Sequence, residues 1–204
     1  CKGLDDLRPD DYMTDVLTDK AVEFLRASAA GCGGKPFFLV LSHYAVHQPL
    51  GAPAGLVEKY RSLPTTDHDN AVYAAMLEKV DDSVGRIAAT LGELGIEQDT
   101  MVVFTSDNGG LSPKSTSNYP LMGGKSFCYE AAMRVPLIVK WPAAVPAGRR
   151  ESTRTVAVDF LPTWLEAAGV KPPKDLPLDG VSLLGLLTEG HRPADRPIFF
   201  HHPH

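Results

Sequence analysis

The chain is poor in the features that would assign it quickly. Three cysteines, Cys1, Cys32 and Cys128, show neither metal-type nor redox-type spacing, and an odd count allows at most one internal bridge. No block of like charge is long enough to act as an interaction tail. The net charge of −5 lacks the basic excess of a nucleic-acid binder. The longest strongly apolar run, Phe37–Leu41, is far too short for a membrane span. No basic segment followed by an apolar run opens the sequence, so no signal peptide is visible.

The sequence does have enough apolar residues for one α/β domain or most of one, at 44% of 204 residues. A helix is predicted from Thr18, capped by Thr18 or Asp19, with Val22, Leu25 and Ala29 on one face, ending at Gly31, Gly33 and Gly34. Phe37-Phe38-Leu39-Val40-Leu41 then reads as a buried strand, and residues 42–53 as the loop at its end. A long helix is expected over about 69–94. Its apolar stripe is Val72, Met76, Val80, Val84, Ile87, Leu91 and Leu94, and Gly95 sits beyond its end. Residues 100–105 and 135–139 read as two more strands, Pro136 marking the latter's start or an edge position. A helix near 158–168, a short helical segment around 182–187 and a strand opening at Ile198 complete the series. This alternation predicts an α/β fold with a mainly parallel sheet sandwiched between helices. Ligands of such sheets bind outside the carboxyl ends of the strands.

Two strand ends carry side chains suited to chemistry. Asp107 and Asn108 offer hard oxygen ligands of the kind that hold Ca²⁺ or Mg²⁺, although Asp-Asn-Gly-Gly is also an ordinary turn. His47, in the first strand-end loop, is a candidate proton donor or simply a surface histidine. Lys125 follows Gly123-Gly124, where close backbone approach lets a compact cation meet a sulfate or phosphate; the glycine spacing is not that of a P-loop. Arg134 fits a structural bridge to Glu130, and Asp81 and Asp82 fit a solvent-facing helix surface. His201, His202 and His204 resemble a metal-binding tract by composition alone.

The order of these segments is more specific than any one of them. Thr105-Ser106-Asp107-Asn108-Gly109-Gly110, Pro120-Leu121-Met122-Gly123-Gly124-Lys125, Tyr129–Pro136 and Trp141-Pro142 together resemble the sulfatases of the alkaline-phosphatase-like superfamily. Upstream, Lys35-Pro36-Phe37-Phe38-Leu39 and His47-Gln48-Pro49 fit the same pattern. Downstream, Asp159–Thr163, Ala168-Gly169 and Leu178–Leu183 continue it.

The resemblance implies a large mixed sheet between helices. It also implies hydrolysis of sulfate esters, in small molecules or sulfated glycans, with formylglycine and a divalent cation, usually Ca²⁺. By motif, Asp107 and Asn108 match two metal ligands, Lys125 the lysine that contacts sulfate, and His47 the histidine near the ester oxygen. Export to the periplasm or beyond is an expectation of the same kind.

The departures are as informative. The 204 residues contain no Cys or Ser followed at the family's spacing by Pro or Ala and then Arg, so they hold no formylglycine site. The family's N-terminal aspartate pair and lysine–histidine segment are missing as well. The expectation is a single partial catalytic domain over 1–204, the later part of the main α/β domain, stopping short of the smaller C-terminal subdomain and inactive by itself. Within the matched region, Ala131-Ala132 replaces the usual Gly-Gly, Ser126 a common Gly and Met122 a frequent Arg. A phosphonate or phosphodiester hydrolase, or phosphotransferase, of the same superfamily is the alternative within the fold. A non-catalytic binding module is the alternative outside it.

Overall fold

A computed structural model describes residues 7–8, 10–31, 35–64, 70–112 and 115–201. The chain divides into two compact units, Cys1–Glu97 with Ser106–Val135, and Gln98–Thr105 with Pro136–His204.

The first unit is built on helices α1 (Met13–Gly31), α2 (Ala54–Arg61) and α3 (Ala71–Glu93). Helix α1 starts five residues before the expected cap. Thr18 lies in its interior, and the buried stripe is Thr14, Thr18, Ala21 and Leu25, a spacing of four, three and four residues that keeps one helical face inward. On α3 the buried positions are Tyr73, Ala75, Met76, Ser83, Thr90 and Leu91. The predicted stripe is therefore rotated: Val84 is partly exposed, and Ser83 and Thr90 face inward. Small and hydroxyl-bearing residues are buried on both helices, and Thr18 Oγ1 meets Ser83 Oγ between them at 2.7 Å, so the buried face is not the most apolar one.

Ion pairs Asp15–Lys79, Asp19–Arg86 and Arg26–Glu93 advance in the same direction along both helices, so α1 and α3 run parallel. Exposed pairs of this type contribute little stability, about 0–1 kcal/mol each, but they report the register. A parallel pair needs a return connection. It is supplied in part by residues 35–41, where Phe37 meets Phe24 of α1 edge to face at 6.0 Å. Residues 37–41 form no ladder among the described residues, and Phe38 and Val40 are mostly exposed. A run apolar at every position is buried only when a layer covers each face.

Asn70 caps α3, its side chain accepting from Tyr73 N at 3.0 Å. At the other end Gly95 is left-handed (φ 68°), with Gly95 N bonded to Gly92 O and Ile96 N to Leu91 O. This is the closure that a glycine just past a helix favours.

In the second unit, β1 (Val102–Thr105) pairs with β2 (Leu137–Lys140). The pairing is antiparallel, with Val103 opposite Val139 and Phe104 opposite Ile138. The alternation of elements predicts parallel neighbours, and this ladder departs from that. Strand alternation constrains parallel pairing only where a crossover helix joins two neighbours directly, and the segment between β1 and β2 holds one short helix, α4 (Glu130–Met133). Pro136 stands immediately before β2, as the missing donor of proline requires.

A 3₁₀ turn (Ala157–Asp159) leads into α5 (Phe160–Ala167), and α6 covers Leu184–Glu189. The fully buried Asp159 carboxylate accepts from Val156 N and Val181 N at 3.0 Å each and pairs with Arg196. Beside it Gly180 packs so tightly on the Val158 carbonyl that a Cβ would lie 2.1 Å away. Residues 198–200 form no strand.

Candidate active site

All four candidate residues fall within the first unit. The chain enters it from β1 at Ser106. Asp107 is exposed; its Oδ1 accepts from Asn108 N at 2.9 Å, and its Oδ2 accepts from Asn108 Nδ2. Ser106 Oγ donates to Asn108 O at 3.0 Å. With the amide nitrogen committed to Asp107, the carbonyl oxygen is the end of Asn108 suited to a ligand role.

The next two glycines make the turn possible. Gly109 N donates to Ala132 O at 2.9 Å, and a Cβ on Gly109 would sit 1.7 Å from Ala131 O. Gly110 O accepts from Lys125 N at 3.1 Å and from Asn118 Nδ2 at 2.9 Å. Asn118 Nδ2 also donates to Gly123 O at 3.0 Å. Gly124 is close-packed as well, its Cβ position being 2.4 Å from Gly110 O. The Asp107–Gly110 turn and the Gly123–Lys125 turn are thus locked to each other through one carbonyl and one asparagine amide. Lys125, far apart in sequence from Asp107, is held by its own main chain two residues past Asn108.

His47 is exposed and belongs to a tight turn, with His47 N donating to Tyr44 O at 2.8 Å. Its Nδ1 lies 2.7 Å from Gln48 O. The Gln48 side chain donates to the buried Ser115 Oγ at 3.1 Å, and Ser115 N bonds to Leu111 O. The His47 loop is therefore tied to the same loop cluster. Ser115 and Asn118 read in the sequence as ordinary loop residues, and Gln48 only as part of the His47-Gln48-Pro49 segment; the fold gives all three their partners.

His43 takes a structural part. Thr18 Oγ1 lies 2.6 Å from Thr14 O and 2.7 Å from Ser83 Oγ, and Ser83 Oγ is 3.0 Å from His43 Nε2. A carbonyl cannot donate, so the single Thr18 proton goes to Thr14 O. Ser83 must then donate to Thr18, and His43 must donate from Nε2. Nδ1 is left as a bare acceptor, buried and without a partner among the described residues. Burial holds the His43 pKa below its ordinary value.

Other expectations resolve simply. Arg134 bonds Glu130 at 2.8 Å as a surface bridge, and Asp81 and Asp82 are exposed. Cys128 is a free, exposed thiol, whereas Cys1 and Cys32 lie outside the described residues. His202 and His204 also lie outside them. Among the described residues no cluster of three or more His, Cys, Asp or Glu is placed to hold a metal, and no helix is long and apolar enough to cross a membrane.

Comparison with known proteins matches the Sulfatase family model to residues 2–170. The chain belongs to the sulfatase family. It is 36% identical to N-acetylgalactosamine-6-sulfatase of Rattus norvegicus over 193 residues, covering 93% of this chain and 35% of that protein. It is also 36% identical to steryl-sulfatase of Mus musculus over 216 residues, covering 99% of this chain and 33% of that protein. The solved structure of Ps i-CgsB in complex with k-i-k-neocarrahexaose superposes with a TM-score of 0.82 at 33% identity, covering 91% of this chain and 40% of that one. The fold is accordingly the alkaline-phosphatase-like α/β fold, present in part. This chain spans about a third of the length of the curated relatives it matches.

Against the sulfatase pattern, the three local departures have different consequences. Ala131 and Ala132 both avoid the left-handed region and lie in α4, so the missing glycines cost no backbone strain there. Ala131 is buried against the Gly109 turn, where its small side chain fits. Ser126, by contrast, holds φ at 75°, the conformation that glycine adopts without penalty. Met122 is largely exposed and makes no demand on the fold.

Proposed function

We propose that this chain forms part of a sulfate-ester hydrolase. In this reading Asp107 and Asn108 contribute oxygen ligands to a divalent cation, usually Ca²⁺ in the family, Lys125 contacts the sulfate, and His47 serves the ester oxygen. The observation that carries it is the bond from Lys125 N to Gly110 O. It ties the main chain of Lys125 to the turn that carries the two oxygen donors, which supports a role for its cation in neutralising a sulfate bound there.

The donor set fits half of a hard-cation site. A carboxylate and an amide carbonyl are the oxygen types that Ca²⁺ prefers, but one negative charge and two groups fall short of its usual six to eight ligands. A divalent cation held by Asp107 and Asn108 would supply Lewis-acid stabilisation of the sulfate's charge. Lys125 adds a compact positive charge to the sulfate oxygens. His47 can pass a proton to the ester oxygen as it leaves. The nucleophile of the family, a formylglycine made from Cys or Ser, has no counterpart within these 204 residues. Sulfated glycans and sulfated small molecules are both within reach of this chemistry, and the oligosaccharide bound to the structural relative supports a glycan.

The test pairs turnover with metal binding in the whole protein. An aryl sulfate should be hydrolysed. Asp107→Asn should weaken Ca²⁺ binding at least tenfold by titration calorimetry, and Lys125→Ala should lower kcat/KM about 10²-fold while leaving Ca²⁺ binding unchanged. The 204 residues alone should turn over nothing. Robust turnover by that chain, or full Ca²⁺ affinity in Asp107→Asn, sinks the assignment.

A further inference from the structure

We infer that Gln48 is the positioning residue for His47, an inference that rests on the reading of His47 given above. The Gln48 carbonyl oxygen can only accept, so the contact at 2.7 Å requires a proton on His47 Nδ1. The neutral ring is therefore the Nδ1–H tautomer, and its Nε2 is a bare acceptor. A proton handed to a departing ester oxygen must leave from Nε2 of the doubly protonated ring. That transfer returns the ring to the Nδ1–H form still bonded to Gln48, and proton and charge balance without any further group.

A contact to the next residue's own carbonyl, in an exposed loop, would be loose if that residue were free to turn. Gln48 is not free. Its side-chain amide donates to Ser115 Oγ at 3.1 Å, Ser115 is 4% exposed, and Ser115 N is bonded to Leu111 O at 3.0 Å. The Gln48 side chain thus anchors its own carbonyl to the segment that follows Asp107, Asn108 and Gly110. One residue sets both the tautomer of His47 and the place of the ring. A bond from Nδ1 to a main-chain oxygen orients an imidazole in the same way in other catalytic and metal-binding histidines.

The decisive measurement is the tautomer of His47 in the whole protein. Labelling with ¹⁵N-histidine and long-range ¹H–¹⁵N correlation read both ring nitrogens, and His47→Gln assigns the signals. The neutral ring should carry its proton on Nδ1 in the wild type. In Gln48→Ala it should relax toward the mixture seen in water. In the same variant kcat toward an aryl sulfate should fall about tenfold with KM changed by less than about twofold, as expected when a proton donor is displaced and binding is kept. Gln48→Glu should restore the wild-type tautomer, because Ser115 can donate its hydroxyl proton to a carboxylate. An Nε2–H tautomer in the wild type, or an unchanged ring in Gln48→Ala, overturns the inference. If the wild-type ring is locked as Nδ1–H and released by Gln48→Ala while no sulfate ester is hydrolysed, the positioning role stands and the sulfatase reading falls.

Discussion

The α1–α3 pair and the 106–132 loops lie in the same unit, yet they are held together by different physics. The helices bury Leu25 on α1 and Ala75, Met76 and Leu91 on α3, and Thr18 meets Ser83 between them through their hydroxyls. Substitutions that respect volume and pattern are tolerated on such a face. The loops bury little apolar surface. They are fixed by contacts so close that Gly109 and Gly124, against main chain, and Gly110, against the Thr116 side chain, have no room for a Cβ. Precision at a site built on irregular backbone comes from steric exclusion and a few hydrogen bonds, and it is lost more abruptly than helical packing.

The largest effect is expected from Gly109→Ala. A methyl group 1.7 Å from the Ala131 carbonyl forces backbone to move, and a loss of about 3 kcal/mol or more is expected, read by chemical denaturation. Gly85→Ala, in α3 where nothing lies within 4 Å, should instead be neutral or stabilising by about 0.5–1 kcal/mol. Equal effects at the two glycines would refute the contrast.

A smaller effect is expected within the helical region from Ser83→Ala. It leaves Thr18 and His43 Nε2 without their shared partner and should cost about 1–3 kcal/mol. The same chain predicts a pH response. The His43 pKa is lowered on folding by burial, so the unfolded chain binds the proton more readily. Stability should be full above about 6.5, the ordinary histidine value, and should fall as pH drops below it through the lower folded value. His43→Phe should flatten that limb of the denaturation midpoint against pH. The smallest effect belongs to Ser126→Gly, which relieves the left-handed conformation at φ 75° and should stabilise the loop by up to about 1 kcal/mol. A loss of stability would mean that the Ser126 side chain makes a compensating contact.

Much of this was legible from residue types alone. Periodicity located α3, and Gly95 marked its end with the left-handed closure that glycine favours, as Gly169 does after α5 in the structure. Strand β1 and its abrupt stop before Asp107 followed from β-branched apolar residues meeting a polar turn. The order of motifs identified the sulfatase family, because several short segments in one order are far more specific than any single one. Some of those motifs serve the fold and not the chemistry: Asp159 and Gly180 clamp the turn before α5 to the segment before α6.

Tertiary structure decided the rest, for reasons that local sequence does not carry. Which face of α3 turns inward depended on the partner helix, so Ser83 and Thr90 replaced Val84. The antiparallel pairing of β1 with β2 depended on contacts between segments more than thirty residues apart. Residues 37–41 carry the composition of a buried strand, but composition does not supply the layers that bury one. The tie between Lys125 and the Asp107 turn, and the anchoring of His47 through Gln48 and Ser115, exist only because distant loops meet. Residue chemistry determined what the candidate site can do, and long-range contact determined which residues stand together to do it.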